Sequence, residues 1–382
     1  MASPQPPGAG SQGALRARNV AAVVAALRDG EELSQAEIVR QTGLSAGSVS
    51  SIVHDLCAQE RITVSTRGRQ RRVRLREPEG QVVGVDIGRS HLRLLLGDLA
   101  GHTLYESLIS LSPGTGVPEA VDRTRQQIDQ AVAAVGCPTP VGVCVGVAGP
   151  ISPASGEILS PGLLPEWFNV DIVEAFHEAI GLPVIVENDA NLGALAEAQR
   201  VGLAEDLVYI KMGTGIGAGI VLGGRLRRGV SNSAGEIGHL SLDPNGIVCR
   251  CGNRGCLETI TAVPAILQGL GAWTVPVADI EDVVDHALAG DVSCIRVLGD
   301  AGTAIGMAAA IVCNVLNPDH IVIGGPIVRS GDVVLGPLVR SMRRYTVPAS
   351  GNDARVTASV YGDSATAIGA LALAREEFAG VA

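Results

Sequence analysis

The feature that most constrains the fold is a compact group of three cysteines with a histidine upstream: His239, Cys249, Cys251 and Cys256. Three thiols and one imidazole form one of the ligand sets of tetrahedral structural zinc sites. Gly252 and Gly255 lie inside the loop and would relieve the tight turn that wrapping a metal requires. The sequence therefore predicts that this loop folds around zinc. The alternative is a set of buried thiols beside an unrelated histidine.

The N-terminal sequence bears on the redox environment of these thiols. Residues 1–13 are rich in Pro, Gly, Ser and Gln, and they lack the basic and apolar regions of a signal peptide. We expect a disordered tail there, and a reducing cytoplasmic location in which the cysteines bind metal rather than form disulfides. We also expect no stretch long and apolar enough to span a membrane.

Charge is distributed unevenly along the chain. The formal net charge of the 382 residues is −10, which by itself argues against binding to nucleic acid. Residues 1–80, however, hold 11 arginines and 8 acidic residues, whereas the remainder is strongly acidic. Six arginines fall within residues 67–76 with no acid among them, so a charged face that only aids solubility is the weaker interpretation. The asymmetry predicts a basic DNA-binding module joined to an acidic body.

The N-terminal module has the pattern of a helix-turn-helix. Apolar residues recur at helical spacing over residues 20–27. Ser34 and Glu37 have the spacing of a capping box for a short second helix, and Gly43 is placed to end it. Ser45 is then predicted to cap a third helix, the one that would read DNA.

Two surfaces of this module are predicted to contact DNA. The outer face of the third helix carries small polar residues that can approach base edges: Gly47, Ser48, Ser50, Ser51 and His54. Residues 61–76 alternate like a two-stranded wing, whose arginines are predicted to meet phosphates or the minor groove: Arg67, Arg69, Arg71 and Arg72. The alternative is a three-helix protein-binding module with a charged loop.

The rest of the chain predicts α/β layers with some antiparallel strands. Asn188 and Asp189 follow a predicted strand at 183–187 and precede a predicted helix at 190–200. A carboxylate and an amide at a strand end can bind polyol hydroxyls, but either residue could equally cap the helix, and these residues alone leave the two readings even. The glycine-rich segment 213–219 could bind an anion or form only a tight hairpin.

Together these motifs resemble the ROK family, named for repressors, open reading frames and sugar kinases. The resemblance covers the chain after the tail and rests on Asp86-Ile87-Gly88, Glu187-Asn188-Asp189, Gly213–Gly217, Ala234–His239 and the block Cys249–Glu258. The fused winged helix is similar to the branch of xylose and N-acetylglucosamine repressors. The resemblance implies an actin-like ATPase fold of two lobes around a cleft.

The resemblance also implies roles for individual residues. The implied zinc ligands are His239, Cys249, Cys251 and Cys256, and the implied sugar contacts are Asn188, Asp189, Glu236, His239 and Glu258. Positions matching the nucleotide phosphate contacts, expected to be vestigial or weak, are Asp86, Gly88, Gly213, Thr214, Gly215, Gly217, Gly324 and Gly325. Asp189 would be a catalytic base only if the chain were a kinase.

Two departures from the kinase pattern argue against ATP as a cofactor. The kinases have a second glycine at the first phosphate loop, where this chain has Arg89 followed by Ser90. Pro326 stands where kinases usually have a third glycine or a polar residue, and it offers no amide hydrogen. Because phosphoryl transfer depends on positioning the phosphates, we expect little or no kinase activity.

The sequence thus predicts a tail at 1–13, a winged helix-turn-helix at 14–78 and a two-lobed ROK sensor at 79–382. The expected partners are double-stranded operator DNA and a sugar or sugar-phosphate effector, bound by a homodimer or homotetramer at the nucleoid, without membrane contact. One alternative is an active ATP-dependent sugar kinase with an appended DNA module. Another is a constitutive DNA-binding scaffold that has lost its ligand.

Overall fold

The computed structural model describes most of the chain and divides it into two compact units. The described residues are 12–27, 32–59, 61–67, 70–75, 79–152, 155–159, 164–202, 204–271, 275–347 and 354–379. The first unit comprises residues 1–79 and the second, referred to below as the body, residues 80–382.

The first unit has three helices and a small sheet. Its elements are α1 (Gln12–Ala26), β1 (Leu33–Ser34), α2 (Gln35–Thr42), α3 (Ala46–Ala58), β2 (Ile62–Arg67) and β3 (Gln70–Leu75). The predicted capping box is confirmed, since Ser34 Oγ accepts from the Glu37 amide and the Glu37 carboxylate accepts from the Ser34 amide. Gly43 ends α2 at φ 68°, and Ser45 caps α3, as predicted. Strand β1, which was not predicted, pairs with β3 and extends the wing to three strands.

The body contains two five-stranded sheets. The first sheet has the order β6-β5-β4-β7-β8, with strands β4 (Gln81–Ile87), β5 (His91–Asp98), β6 (Thr103–Ser110), β7 (Gly142–Val147) and β8 (Val184–Asn188). The second has the order β11-β10-β9-β12-β13, with strands β9 (Leu207–Met212), β10 (Ile216–Leu222), β11 (Arg225–Leu226), β12 (His320–Gly324) and β13 (Arg355–Ala358). The central strand of each sheet, β4 or β9, is the first of that sheet in chain order. It is antiparallel to the strand that follows it in the chain, β5 or β10, and parallel to β7 or β12.

Helices cover the sheets and complete the predicted α/β class. They are α4 (Val117–Val135), α5 (Ile172–Ile180), α6 (Asp189–Val201), α7 (Glu258–Thr261), α8 (Val263–Gly269), α9 (Ile280–Leu288), α10 (Val292–Leu316), α11 (Asp332–Tyr345) and α12 (Ala365–Phe378). Helix α12 packs closely on the first sheet, because a Cβ at Gly84 would lie 2.4 Å from the Leu371 amide nitrogen. The two central strands, β4 and β9, bring Asp86 and Lys211 to one cleft.

Helix α10 corrects one expectation from the sequence. It runs over Val292–Leu316 and is long and apolar enough, by length and composition, to cross a membrane, so the expected absence of such a stretch was wrong. More than half of its most apolar window, 56%, is nevertheless buried inside the protein. Gly302 and Gly306 let α11 approach, since a Cβ at either would lie 2.3 Å from a backbone oxygen of α11. Packing within the body therefore accounts for the apolar composition of this helix.

Candidate functional site

A cavity of about 680 Å³ forms the cleft of the body. This size is typical of small-molecule sites. The cleft brings together every residue predicted to contact sugar, namely Asn188, Asp189, Glu236, His239 and Glu258. It also contains the predicted phosphate-contact positions Asp86, Gly88, Gly213, Thr214, Gly215, Gly217 and Gly325. Residues more than 180 positions apart in the sequence thus share one cavity.

Gly324 is the predicted phosphate position that does not line the cleft. A Cβ at this residue would lie 2.0 Å from the Tyr209 hydroxyl oxygen, so its glycine is needed for packing between β12 and β9. Gly325 has φ +99°, and a Cβ there would meet the Met212 carbonyl oxygen at 1.9 Å. Close packing of the second sheet explains both glycines without a nucleotide.

Asn188 and Asp189 differ in position. The sequence left open whether these residues cap a helix or bind hydroxyls. The Asn188 side-chain oxygen accepts from the amides of Ala190 and Asn191, so this residue caps α6. Its side-chain nitrogen donates to the Gly149 carbonyl at 2.9 Å. Asp189 is the first residue of α6 and faces the cleft. The capping interpretation accounts for the contacts of Asn188, and contact with a sugar stays a prediction for both residues.

Lys211 is a cleft residue that the sequence reasoning missed. Its ammonium lies 2.8 Å from Asp189 Oδ2 and 3.2 Å from the Thr366 hydroxyl. Burial alone would lower the pKa of Lys211, but Asp189 and then Asp86 outweigh burial and raise it. The available signal was a lone lysine in the otherwise apolar strand β9, since lysine is rarely buried unless it is paired.

His91, a second residue that the sequence reasoning missed, covers the turn after β4, which was predicted as the first phosphate loop. The His91 ring packs on Gly88, where a Cβ would lie 2.2 Å from the ring, and His91 Nε2 lies 3.2 Å from Asp86 Oδ2. Burial would raise the pKa of Asp86, but Lys211 and the hydrogen bond with His91 lower it below its ordinary value. Arg89 is exposed beside them and also lines a smaller cavity of about 260 Å³.

Glu236 and Glu258 occupy different electrostatic environments. Glu258 is buried and pairs with Arg250 Nη2 at 2.6 Å, while its other oxygen accepts from the Ile216 amide. Glu236 is half-buried, and burial, followed by the charges of Asp189 and Glu258, raises its pKa to about 7, with Arg250 opposing the shift. Arg250 was not predicted as a site residue, because its pairing with Glu258 depends on the folded shape of the cysteine loop and not on a sequence pattern.

The predicted zinc ligands form one cluster. Their candidate ligand atoms all lie within 4.8 Å of one another. The Sγ atoms of Cys251 and Cys256 are 3.7 Å apart, and Cys249 Sγ lies 3.6 Å from His239 Nδ1. A tetrahedral zinc with ordinary bond lengths requires S···S and S···N separations of about 3.8 and about 3.6 Å. The four residues therefore fit this metal, and His239 Nε2 remains on the other side of the ring, 3.7 Å from Glu236.

The described part of the first unit tests which residues are available to DNA. On α3, Gly47, Ser50, Ser51 and His54 are exposed, whereas Ser48 is half-buried and lies 2.8 Å from the Ser45 hydroxyl. In the wing, Arg71 is exposed on β3.

Arg72 departs from the predicted role. Its guanidinium donates to the Glu32 carbonyl at 2.5 Å and lies 3.7 Å from the Glu37 carboxylate, so it ties β3 to the start of α2. Within the described residues its neighbour Arg71 makes no such contact, which leaves Arg71 as the better candidate for a phosphate contact. Arg69 and the side chain of Arg67 lie outside the described residues.

Comparison with known proteins agrees with this arrangement. A model of the MarR family matches residues 17–72. The xylose repressor of Bacillus spizizenii is 29% identical over 358 residues, which cover 91% of this chain and 92% of the repressor. The crystal structure of a ROK family transcriptional regulator, described as a homologue of the E. coli MLC protein, aligns with a TM-score of 0.80 and 26% identity over 96% of this chain and 98% of that one.

The body alone also matches kinases. The crystal structure of a ROK glucokinase from Streptomyces griseus in complex with glucose and AMPPNP aligns with a TM-score of 0.67 and 28% identity, over 78% of this chain and 100% of the kinase. A family model described as "ROK family" matches residues 82–377. This chain, with a MarR-like helix-turn-helix at its N-terminus and a two-sheet kinase-fold body, therefore belongs to the ROK family.

Proposed function

We propose that this protein is a sugar-responsive, DNA-binding transcriptional repressor of carbohydrate-utilisation genes. The observation that carries the proposal is that one chain combines a winged helix-turn-helix with a particular cleft. This cleft contains the predicted sugar-binding carboxylates, while the His91 ring covers the turn predicted to bind phosphate. The relatives that match nearly the whole chain are repressors and a transcriptional regulator, whereas the glucokinase matches only the body.

In this proposal the cleft binds a sugar through hydrogen bonds from its hydroxyls. Asp189, Glu236 and His239 are half-buried and carry the acceptors and donors that line the cleft, while Asn188 and Glu258 hold the surrounding loops. Carboxylates are strong acceptors for hydroxyl groups, and several converging on one cavity give orientation as well as affinity. A bound sugar would favour one arrangement of the body and reduce the affinity for DNA; linkage then requires DNA to weaken sugar binding equally.

Zinc is the metal that we propose for the cysteine cluster. Cys249, Cys251, Cys256 and the Nδ1 atom of His239 would hold it, and its role there would be structural. Holding the loop fixes Arg250 next to Glu258 and His239 next to Glu236, so the metal would brace one wall of the cleft.

Kinase activity is the alternative that the cleft supports less well. The His91 ring occupies the space next to Gly88, and Lys211 already neutralises Asp189, the position of the base in kinase members. Both oxygens of Asp189 already accept a hydrogen bond, one from Lys211 and one from the Ala190 amide, which leaves less acceptor capacity for the proton of a sugar hydroxyl. We therefore propose that ATP is not a cofactor.

The proposed partners follow from the helix-turn-helix. One such module reads only a few base pairs, so useful specificity requires two copies. We propose a symmetric homodimer or homotetramer at the nucleoid, bound to a roughly palindromic operator with half-sites about one or two helical turns apart.

The test combines selection of a binding site with a panel of sugars. Duplexes that bind the zinc-loaded protein are enriched from a random library, and release of the selected duplex is then measured by fluorescence anisotropy with hexoses, pentoses and their phosphates. We expect at least one compound to release the DNA, and Asp189→Ala to abolish that release while binding to DNA persists. ADP formation at kinase-like rates, about 1–100 per second, would support the alternative.

A further inference from the structure

The ammonium of Lys211 lies among acidic and hydroxyl groups from both halves of the body. Lys211 ends in the cleft from β9 of the second sheet, and Asp189 begins α6 after the last strand of the first sheet. Thr366 stands at the start of α12, and its hydroxyl contacts both the Lys211 ammonium and the Asp189 carbonyl. One side chain thus connects three elements at the floor of the cleft.

Two carboxylates depend on this ammonium. Asp86 is only 2% exposed, and a buried carboxylate without a cation tends to take up a proton. Lys211 is the strongest influence that keeps the pKa of Asp86 low. At Asp189, one oxygen accepts from the Ala190 amide and the other from Lys211. Lys211 is therefore a cation that acts on both acids.

A divalent cation would compete for this position. Mg²⁺ in phosphoryl-transfer sites is held by one or two carboxylates together with the phosphates of the nucleotide. Asp86 and Asp189 are two carboxylates of this kind, because both line the cleft together with Lys211, whose ammonium lies 2.8 Å from Asp189 Oδ2. The Lys211 ammonium supplies positive charge to this part of the cleft and repels a second cation.

We infer that Lys211 is a fixed counter-cation, which makes the cleft a metal-independent site for an uncharged polyhydroxy ligand and excludes divalent metal from Asp86 and Asp189. This inference deepens the proposed function and rests on the cleft being the effector site. It assigns to Lys211 a specificity role: hydroxyls can still bond to the cleft carboxylates, while a nucleotide loses the metal that would accompany its phosphates.

The experiment measures binding of Mn²⁺, a paramagnetic substitute for Mg²⁺, to the full-length, zinc-loaded protein by electron paramagnetic resonance. The wild-type protein should bind no Mn²⁺ at millimolar concentrations, whereas Lys211→Met should bind about one ion per chain, with affinity on the order of tenfold or more above the wild type. Arg89→Met is the matched control, because it removes a cleft cation that forms no hydrogen bond or ion pair with either acid within the described residues. Its Mn²⁺ binding should equal that of the wild type.

A second variant covers the possibility that Lys211→Met does not fold. In Lys211→Met/Asp189→Asn the summed charge of these side chains returns to its wild-type value, so the protein should fold and bind no Mn²⁺. Mn²⁺ binding by the wild type, or a folded Lys211→Met protein that binds none, overturns the inference. Since no sugar is present in these titrations, their outcome is independent of whether the sugar panel identifies an effector.

Discussion

The two sheets of the body share one strand order, yet the turns after their central strands differ in chemistry. In the first sheet the turn is closed by a bond from the Gly88 amide to the His91 carbonyl, and the His91 ring covers the glycine. In the second sheet the Gly213 amide bonds to the Gly215 carbonyl, and the space around Gly213 is open to 4.0 Å. Turns at the same place in the two sheets thus differ, one being covered and the other open.

This difference shows that topology alone does not decide what a cleft of this kind can bind. Two open turns facing each other would offer backbone amides to phosphates from both sides. Here the first turn presents an imidazole and an exposed arginine, while the second keeps Thr214 and its glycines in the cavity. The covered turn favours a regulator over a phosphotransferase, although both have the same fold.

The largest expected effect concerns the cysteine cluster, whose proposed zinc would brace the wall of the cleft that holds Arg250, Glu258 and His239. Cys251→Ser should release about one zinc per chain and lower the free energy of unfolding by several kcal/mol, because a structural zinc contributes directly to folding. Metal analysis and denaturant unfolding measure both. The control is Cys137→Ser, which removes a half-buried thiol that is not part of the cluster. It should leave the zinc content unchanged and shift the unfolding midpoint only slightly. A wild-type protein without zinc contradicts the assignment.

The next effect tests whether the acceptors around the open turn bind the effector. Asp189→Ala and Glu236→Ala should each weaken sugar binding by on the order of a hundredfold, since each removes a charged hydrogen-bond partner. Sugar-free binding to DNA should stay near normal. Calorimetry with the identified sugar and anisotropy with the selected duplex provide the two readouts. Loss of DNA binding in both variants would instead mean that these residues support the fold.

A smaller effect is expected from uncovering the first turn. Arg89→Gly combined with His91→Ala should make it resemble the second turn and raise the affinity for ADP by on the order of tenfold, because backbone amides become accessible. His102→Ala, which removes a surface histidine paired with Asp98 in the same sheet, is the control. Unchanged ADP affinity in the double variant would show that the shape of this turn is not what limits nucleotide binding.

The smallest effect concerns two adjacent arginines of the wing, Arg71 and Arg72. As with the two turns, the neighbours of each residue are expected to decide its role. Arg71→Ala should lower the slope of log affinity against log salt by about 0.9, because one phosphate contact is lost. Arg72→Ala should leave the salt slope unchanged and lower stability, since Arg72 is bound to Glu32 and Glu37. Equal slopes for the two variants would remove the distinction between them.

The features that the sequence predicted well are those formed by residues close together in the chain. The capping box of α2 needs only Ser34 and Glu37, and the metal loop needs only the spacing of Cys249, Cys251 and Cys256. Local spacing restricts such groups to few geometries, so the pattern alone indicates the structure.

The features that it missed depend on tertiary contacts. Lys211 meets Asp189 and Thr366 only after both sheets have formed, and no local pattern marks those pairs. The membrane-like composition of α10 has the same origin, because a window of sequence does not show that α11 packs against it. His91 lies only five residues from Asp86, yet its ring reaches the acid because the chain reverses between β4 and β5.

The two ring nitrogens of His239 lie on opposite sides of one imidazole, Nδ1 toward Cys249 and Nε2 toward Glu236. The proposed zinc on Nδ1 would require the ring proton to reside on Nε2, so coordination would fix the tautomer. On the cleft side, His239 Nε2 could then only donate a hydrogen bond, whereas an ionised Glu236 carboxylate could only accept one. A single hydroxyl placed between them would be recognised in both directions at once, and a deoxy sugar lacking that hydroxyl would lose both bonds together.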